Sequence, residues 1–330
     1  MLNPDLHLSP DIFSKTAPRA ALRDGYGEGL LEAGQNKQVV VLAADVEEST
    51  RVQAFARLHP DQYIEVGVAE QNMASIAAGL AVSGKIPYIN SYAVFSPGRN
   101  WEQIRTTIAY NNANVKIAGH HAGITTGADG ATHQALEDVA LMRALPNMTV
   151  LTPCDSIEAR RLTTQAALIP GPVYIRLQRE KTPLLTSVQT PCVIGKSDVF
   201  WLPKTKKISV VLFAMGALTY QALLAAKELE KLRISAAVVR VNTIKPFDVK
   251  TAREWLVKAG AAVTIEEHTV LGGLGSVVSE VAGQTHPVPI EMVGIKDVFG
   301  QSGSAHQLLQ AYHLEPADIV HAAQRVIKRV

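Results

Sequence analysis

The sequence predicts an α/β protein built from two open, largely parallel-sheet domains. Two observations carry that expectation. Short β-branched apolar runs alternate with longer helix-like stretches, and the alternation stops once and then resumes. The length agrees, since 330 residues suit about two domains of roughly 100–200 residues each.

The first strand candidate is Val39–Ala44 (VVVLAA), which is continuously apolar, as a strand buried on both faces should be. Gln62–Val66, Ile86–Asn90, Val115–Gly119, Thr149–Leu151 and Val173–Leu177 repeat the pattern. Helices are expected over Gln71–Ser83, Asn100–Asn111, Leu136–Ala144 and Ser156–Leu168. Glu180–Lys207 breaks the rhythm with Pro183, Pro191, Pro203 and a lysine cluster, and reads as a linker with room for an edge strand. The second block is expected as strands Ile208–Ala214, Ser235–Val241, Ala261–Glu266 and Val288–Val293. Helices Leu218–Leu232, Val249–Ala259 and Gly275–Ala282 lie between them, with further helices near the end. The expected division is 1–188 and 189–330.

Composition excludes several classes. Apolar residues are 47% and charged residues 19%, which suits a folded chain with a core. The net charge of +2, with no basic block, gives no case for nucleic acid or membrane binding. Cys154 and Cys192 form no CxxC pair, so they read as two buried reduced thiols of a cytoplasmic protein. The start, MLNPDLHLSPDIFSK, lacks the pattern of a secretory signal, and no apolar run reaches 18 residues.

Glu70 follows a strand and opens a helix, QNMASIAAGLAVSG, that is small and apolar nearly all round. Such a helix is expected to be buried, and the carboxyl group at its start partly buried with it. The ordinary role of a first-turn glutamate is to stabilise the helix. Tyr92 and Phe95, in SYAVF, would ordinarily be packing residues. GADGATHQALED (127–138) suggests a tight loop that gathers polar side chains before a helix. Within it Asp129 and His133 stand four apart, a weak spacing for metal ligation.

Together GVAEQNM (67–73) and GADGATHQ (127–134) resemble the transketolase family, from about residue 15 to the end. The resemblance implies a thiamine-diphosphate pyrimidine-binding domain followed by a transketolase C-terminal domain. It implies that Glu70 hydrogen-bonds the ring nitrogen of the cofactor's aminopyrimidine and so activates it. Phe95 would stack on that ring and Tyr92 would line its pocket. Asp45 matches an acidic residue near the cofactor and subunit interface. Asp129, His133 and His121 (GHHAG) match residues facing the donor sugar, with His133 also beside the cofactor; His120 does not match and is expected to be structural. Arg23, Ser49 and Arg179 match residues that hold a sugar phosphate. TIKPFD (243–248) and EEHTVLGGLGS (266–276) resemble C-terminal-domain segments, and LGGLG lacks the pattern of a nucleotide-binding loop.

The family's metal–diphosphate anchor, a GDG segment followed by a downstream asparagine, is not matched, and GADG belongs to the sugar loop. The resemblance therefore implies a split enzyme. An N-terminal transketolase subunit would hold Mg²⁺ or Ca²⁺ and the diphosphate, in a two-plus-two heterotetramer. The implied activity is ketol transfer between sugar phosphates, with pentose phosphates the default. Three alternatives stand beside it. One is the C-terminal part of a deoxyxylulose-phosphate synthase, which shares the GADGATHQ loop. Another is the β subunit of a 2-oxoacid dehydrogenase, against which Asp129 and His133 argue. The last is a non-catalytic scaffold, which has no need of Glu70, Phe95, His133 and Arg179 together.

Overall fold

In a computed structural model, which describes residues 1–205 and 207–330, both expected sheets form. Lys206, part of the linker's lysine cluster, lies outside the described residues. The first sheet contains β1 (Val39–Ala43), β2 (Tyr63–Glu65), β3 (Ile86–Tyr92), β4 (Lys116–His120), β5 (Thr149–Leu151) and β6 (Val173–Leu177). The second contains β7 (Asp198–Trp201), β8 (Val210–Met215), β9 (Ala236–Val241), β11 (Ala262–Thr269) and β12 (Ile290–Ile295). Strand β10 (Thr243–Lys245) lies between β9 and β11 in the chain but joins the first sheet. The order there is β10-β5-β6-β4-β3-β1-β2, parallel except for β10. The second sheet runs β12-β11-β8-β9-β7, parallel except for β7.

Most expected strands and helices are present with shifted ends. The segment expected as one helix over Asn100–Asn111 instead has a single α-turn, Trp101–Gln103, followed by a wider π-type helix over Ile104–Ala109. The hydroxyls of Thr106 and Thr107 donate back to the carbonyls of Glu102 and Gln103 along it. The linker supplies two strands. Lys181–Pro183 pairs with Arg19–Ala21, and β7 takes an edge of the second sheet.

The two sheets share a core. One apolar cluster joins Val40, Met73, Ala77 and Ile108 of the first unit to Val211, Phe213 and Leu256 of the second. The chain start also crosses over: the Asn3 N–H donates to the Phe200 carbonyl, and Leu6 and Ile12 join the second unit's other core.

Helix α1 (Leu22–Ala33), which carries Arg23, packs on the helix Ser156–Ala166 through glycines. A Cβ at Gly25 would lie 1.8 Å from the Ser156 carbonyl oxygen, and one at Gly29 2.4 Å from that of Arg160. Only a missing side chain lets the helices approach this closely.

Helix α2 (Glu70–Val82) corrects the expectation of all-round burial. Met73, Ala74, Ala77 and Ala78 are buried, but Gln71, Asn72, Ser75, Gly79 and Val82 are exposed on this chain. That exposed face is polar at its start and small or apolar at its end, and no element among the described residues covers it.

Two glycine substitutions separate close packing from helix propensity. Gly25→Ala should lower stability by about 1–3 kcal/mol through overpacking. Gly79→Ala meets nothing within 4 Å and should be neutral or stabilising by about 0.5–1 kcal/mol. Urea denaturation of the two variants checks the pair; equal midpoints would contradict the packing argument.

Candidate active site

In an open parallel sheet, side chains that work together are presented beyond the carboxyl ends of the strands, where the strand order reverses. Here β1 has β2 on one side and β3 on the other, and the chain reverses direction across it. Asp45 and Ser49 follow β1, Glu70 follows β2, Tyr92 and Phe95 end and follow β3, His121 follows β4, and Arg179 follows β6. The fold thus delivers residues from six separate segments, with Arg23 from α1, to one end of one sheet.

Glu70 is the first residue of α2 and only 2% exposed. Ser91 Oγ donates to its Oε1 at 3.1 Å, and Arg99 Nη1 donates to its Oε2 at 3.0 Å. Its backbone carbonyl accepts from Asn100 Nδ2 at 3.1 Å. A buried carboxylate is costly unless paired and hydrogen-bonded, and both of its oxygens are engaged.

Around it runs a continuous row of rings. Tyr92 and Phe95 stack with centroids 6.0 Å apart, Tyr92 lies 4.3 Å from His121, and His133 meets the Phe95 ring edge-on at 5.4 Å. Tyr92 Oη donates to Ser49 Oγ at 3.1 Å. Arg23 Nη1 donates to the Ser49 carbonyl at 2.9 Å and lies 3.2 Å from His121 Nε2. A guanidinium only donates, so Nε2 accepts and the His121 proton resides on Nδ1. That Nδ1 is buried and has no partner among the described residues. Burial, then the charges of Arg23 and Arg179, push the His121 pKa down to about 3. The imidazole is therefore neutral near pH 7.

The residues of the GADGATHQ loop also converge. Arg179 Nη1 donates to Asp129 Oδ2 and to the Thr126 carbonyl, both at 2.8 Å. His133 Nδ1 lies 2.9 Å from Thr132 Oγ1. Asp45 sits further out, on an open hollow it shares with Arg23, Ser49, Arg51 and Glu65. It is not placed against Glu70 or Phe95 by any contact within the chain. His120 is buried against Tyr26 at 4.8 Å with its Nε2 3.4 Å from Asn90 Oδ1, in the packing role expected of it.

Sequence reasoning missed several supports. Ser91, Arg99 and Asn100 hold Glu70, and only their closeness to SYAVF hinted at them. Gln134 Nε2 donates to the carbonyls of Ile124 and Gln301 and fastens the loop. Glu267, in the second unit, accepts from Thr125 N–H at 2.7 Å and from its hydroxyl at 2.8 Å. A Cβ at Gly123, where φ is +89°, would lie 2.2 Å from Glu267 Oε1.

Comparison with known proteins identifies the family. Residues 19–183 match the transketolase pyrimidine-binding domain and residues 201–319 the transketolase C-terminal domain. The chain belongs to the transketolase family. A Methanocaldococcus jannaschii protein described as a transketolase C-terminal section is 40% identical over 315 residues, 93% of this chain and 96% of that protein. The 6-deoxy-6-sulfo-D-fructose transketolase subunit of a Clostridium species is 40% identical over 309 residues, 93% of this chain and 95% of that protein. A solved structure described as a split gene transketolase, inactive beta4 tetramer, has a TM-score of 0.85 at 43% identity, covering 94% of this chain and 99% of its own.

The depressed pKa of His121 has a sign that can be measured. Between its ordinary value of 6.5 and about 3, the unfolded chain binds the proton and the folded chain does not. This residue's contribution to stability is therefore full above pH 6.5 and is lost progressively as pH falls towards 3. His121→Gln should flatten that part of the stability–pH curve, and the His121 ring resonances should not titrate between pH 7 and 5. Titration inside that range would contradict the assignment.

Proposed function

We propose that this chain is the C-terminal subunit of a split transketolase. The complete enzyme would use thiamine diphosphate to move a two-carbon ketol unit from a ketose phosphate to an aldose phosphate. The observation that carries the reading is the buried Glu70 carboxylate at a helix start, linked through one guanidinium to the half-buried Phe95 ring. That pair fits an aminopyrimidine, which needs a proton-sharing carboxylate at its edge and a flat apolar face beneath it. When bound, thiamine diphosphate would supply a nucleophilic carbon able to attack a ketose carbonyl.

The chain's own residues divide the remaining work. Glu70 holds the proton at the pyrimidine ring nitrogen, with Ser91 fixing the carboxylate's other oxygen. Phe95 and Tyr92 wall the pyrimidine pocket. His133 donates to or accepts from the reacting sugar oxygen, and neutral His121 offers its free Nδ1–H to a hydroxyl. Asp129 takes another hydroxyl. Arg23, Arg179 and Ser49 bind the terminal oxyanion, to which two guanidiniums and a hydroxyl are suited. Asp45, on the rim, serves the partner side of the site. One relative is named as a 6-deoxy-6-sulfo-D-fructose transketolase subunit, so a substrate panel should contain both phosphate and sulfonate donors.

Two observations support a partner. The open face of α2 adjoins Glu70 and lacks a cover. Relatives matched over nearly their whole length are named as a section or a subunit. Among the described residues no three His, Cys, Asp or Glu side chains are grouped to hold a metal. We assign Mg²⁺ or Ca²⁺ and the diphosphate to an N-terminal transketolase subunit, in a two-plus-two heterotetramer. In this reading residues 1–188 form the pyrimidine-facing unit and 189–330 the C-terminal unit. No described helix is long and apolar enough to cross a membrane, and a cytoplasmic location fits the two free, buried cysteines.

The test is reconstitution. The chain alone, given cofactor and metal, should transfer no ketol units, whereas the two-subunit mixture should. In the mixture, Glu70→Gln should lower turnover by about 10²–10⁴-fold, the range for a positioned proton-transfer group. Full activity of the chain alone would remove the split reading, and near-normal activity of the variant would remove Glu70 from the mechanism.

A further inference from the structure

Arg99 stands where the preceding reading seats the aminopyrimidine. It lies on the turn after Phe95, and its N–H bonds to the Phe95 carbonyl at 2.9 Å. Its guanidinium carbon lies 4.7 Å from the centroid of the Phe95 ring. Its Nη1 donates to Glu70 Oε2 at 3.0 Å. A planar cation therefore rests on the ring and gives a proton-bearing nitrogen to the carboxylate. Those are the two contacts assigned to the pyrimidine: a face on Phe95 and a nitrogen at Glu70.

A guanidinium lying on Phe95 and bonded to Glu70 Oε2 fills the space a pyrimidine would need there, so the two groups compete for one place. Glu70 is 2% exposed, so its charge requires a neighbour whenever no cofactor is present. The Arg99 side chain is 48% exposed. It can leave towards water at the loss of this ion pair and of the contact with Phe95, the side-chain interactions it makes among the described residues. Ser91 stays on Oε1 throughout, so the carboxylate keeps its orientation while its second oxygen changes partner.

We propose that Arg99 is a placeholder for the cofactor's pyrimidine. In the cofactor-free chain it neutralises Glu70 and covers Phe95; it swings out when the pyrimidine is seated. Arg99 is thus a competitor of the cofactor rather than a contact to it. This inference rests on the reading of Glu70 and Phe95 given above. Its energetic consequence is that part of the free energy of cofactor binding is spent on displacing Arg99, so the wild-type affinity is weaker than the empty pocket would give.

The experiment measures binding, not turnover. Thiamine diphosphate with Mg²⁺ is titrated into the reconstituted two-subunit assembly by calorimetry, for wild type, Arg99→Gln and Arg99→Lys. Removing the competing cation should tighten cofactor binding about tenfold in Arg99→Gln. The same substitution should lower the urea midpoint of the cofactor-free assembly, because Glu70 loses its counter-charge. Arg99→Lys keeps a charge for Glu70 and guards against misfolding. Lacking a flat group to lie on Phe95, it should also bind the cofactor more tightly than wild type, though by less. Unchanged or weaker binding in both variants, with wild type binding normally, overturns the placeholder and leaves the transketolase reading intact. Failure of the wild-type assembly to bind thiamine diphosphate at all overturns both.

Discussion

The site depends on one fully buried cation. Arg176 lies on β6, beneath the site, and is 3% exposed. Its Nε donates to Asp138 Oδ2 at 2.9 Å, and its Nη2 donates to the Glu267 carbonyl at 2.8 Å. Tyr174 Oη donates to the same Asp138 oxygen at 2.7 Å. Removing one member of such a set strands a charge in the interior, which costs about 3–5 kcal/mol. Asp138 begins the helix Asp138–Ala144 immediately beyond the sugar loop, and Glu267 belongs to the other sheet. The guanidinium therefore fixes three things together: a strand of the first sheet, the end of the loop and the neighbouring unit. Glu267 then extends the set with its carboxylate, which receives Gln178 and both donors of Thr125. Burial raises the Glu267 pKa, and the Arg176 charge is the largest force opposing that rise. The loop bearing Asp129 and His133 is held at both ends by charges that belong to the inter-domain core.

This arrangement explains what the sequence could and could not show. The parallel strands were legible because burial on both faces leaves an unbroken apolar run, as in Val39–Ala43 and Val210–Met215. The helix starting at Glu70 was legible in extent but not in environment. A composition of small apolar residues does not say which neighbour covers each face, and one face of α2 has none within this chain. Strand β10 was hidden because Thr243–Lys245 is only three residues long and pairs with a strand almost a hundred residues away. No local period records such a pairing.

The candidate site divides in the same way. Glu70, Asp129 and His133 stood out through two compact motifs, and Phe95, His121 and Arg179 through the resemblance those motifs carry; ring contacts link Phe95 to His133 and, through Tyr92, to His121. The residues that hold them in place did not stand out. Arg99 and Glu267 are ordinary charged residues in sequence, and their partners come from distant segments. Arg179 and Asp129, read separately as anion-binding and sugar-binding groups, are found paired with each other. In the proposed reading a sugar entering here would open or share that ion pair, so the two roles would be coupled.

The short strand β10 has a consequence of a different kind. It closes the edge of the first sheet beside β5, while Leu2 and Asn3 at the chain start lie along β7 of the second. Each half has lent the other a piece of its border. Cutting the chain at the linker would bare the edge of β5 and uncover Trp201 at the same moment, and neither fragment would inherit a finished perimeter. Exchanging either half for a foreign one would therefore leave an unpaired border on both sides of the joint.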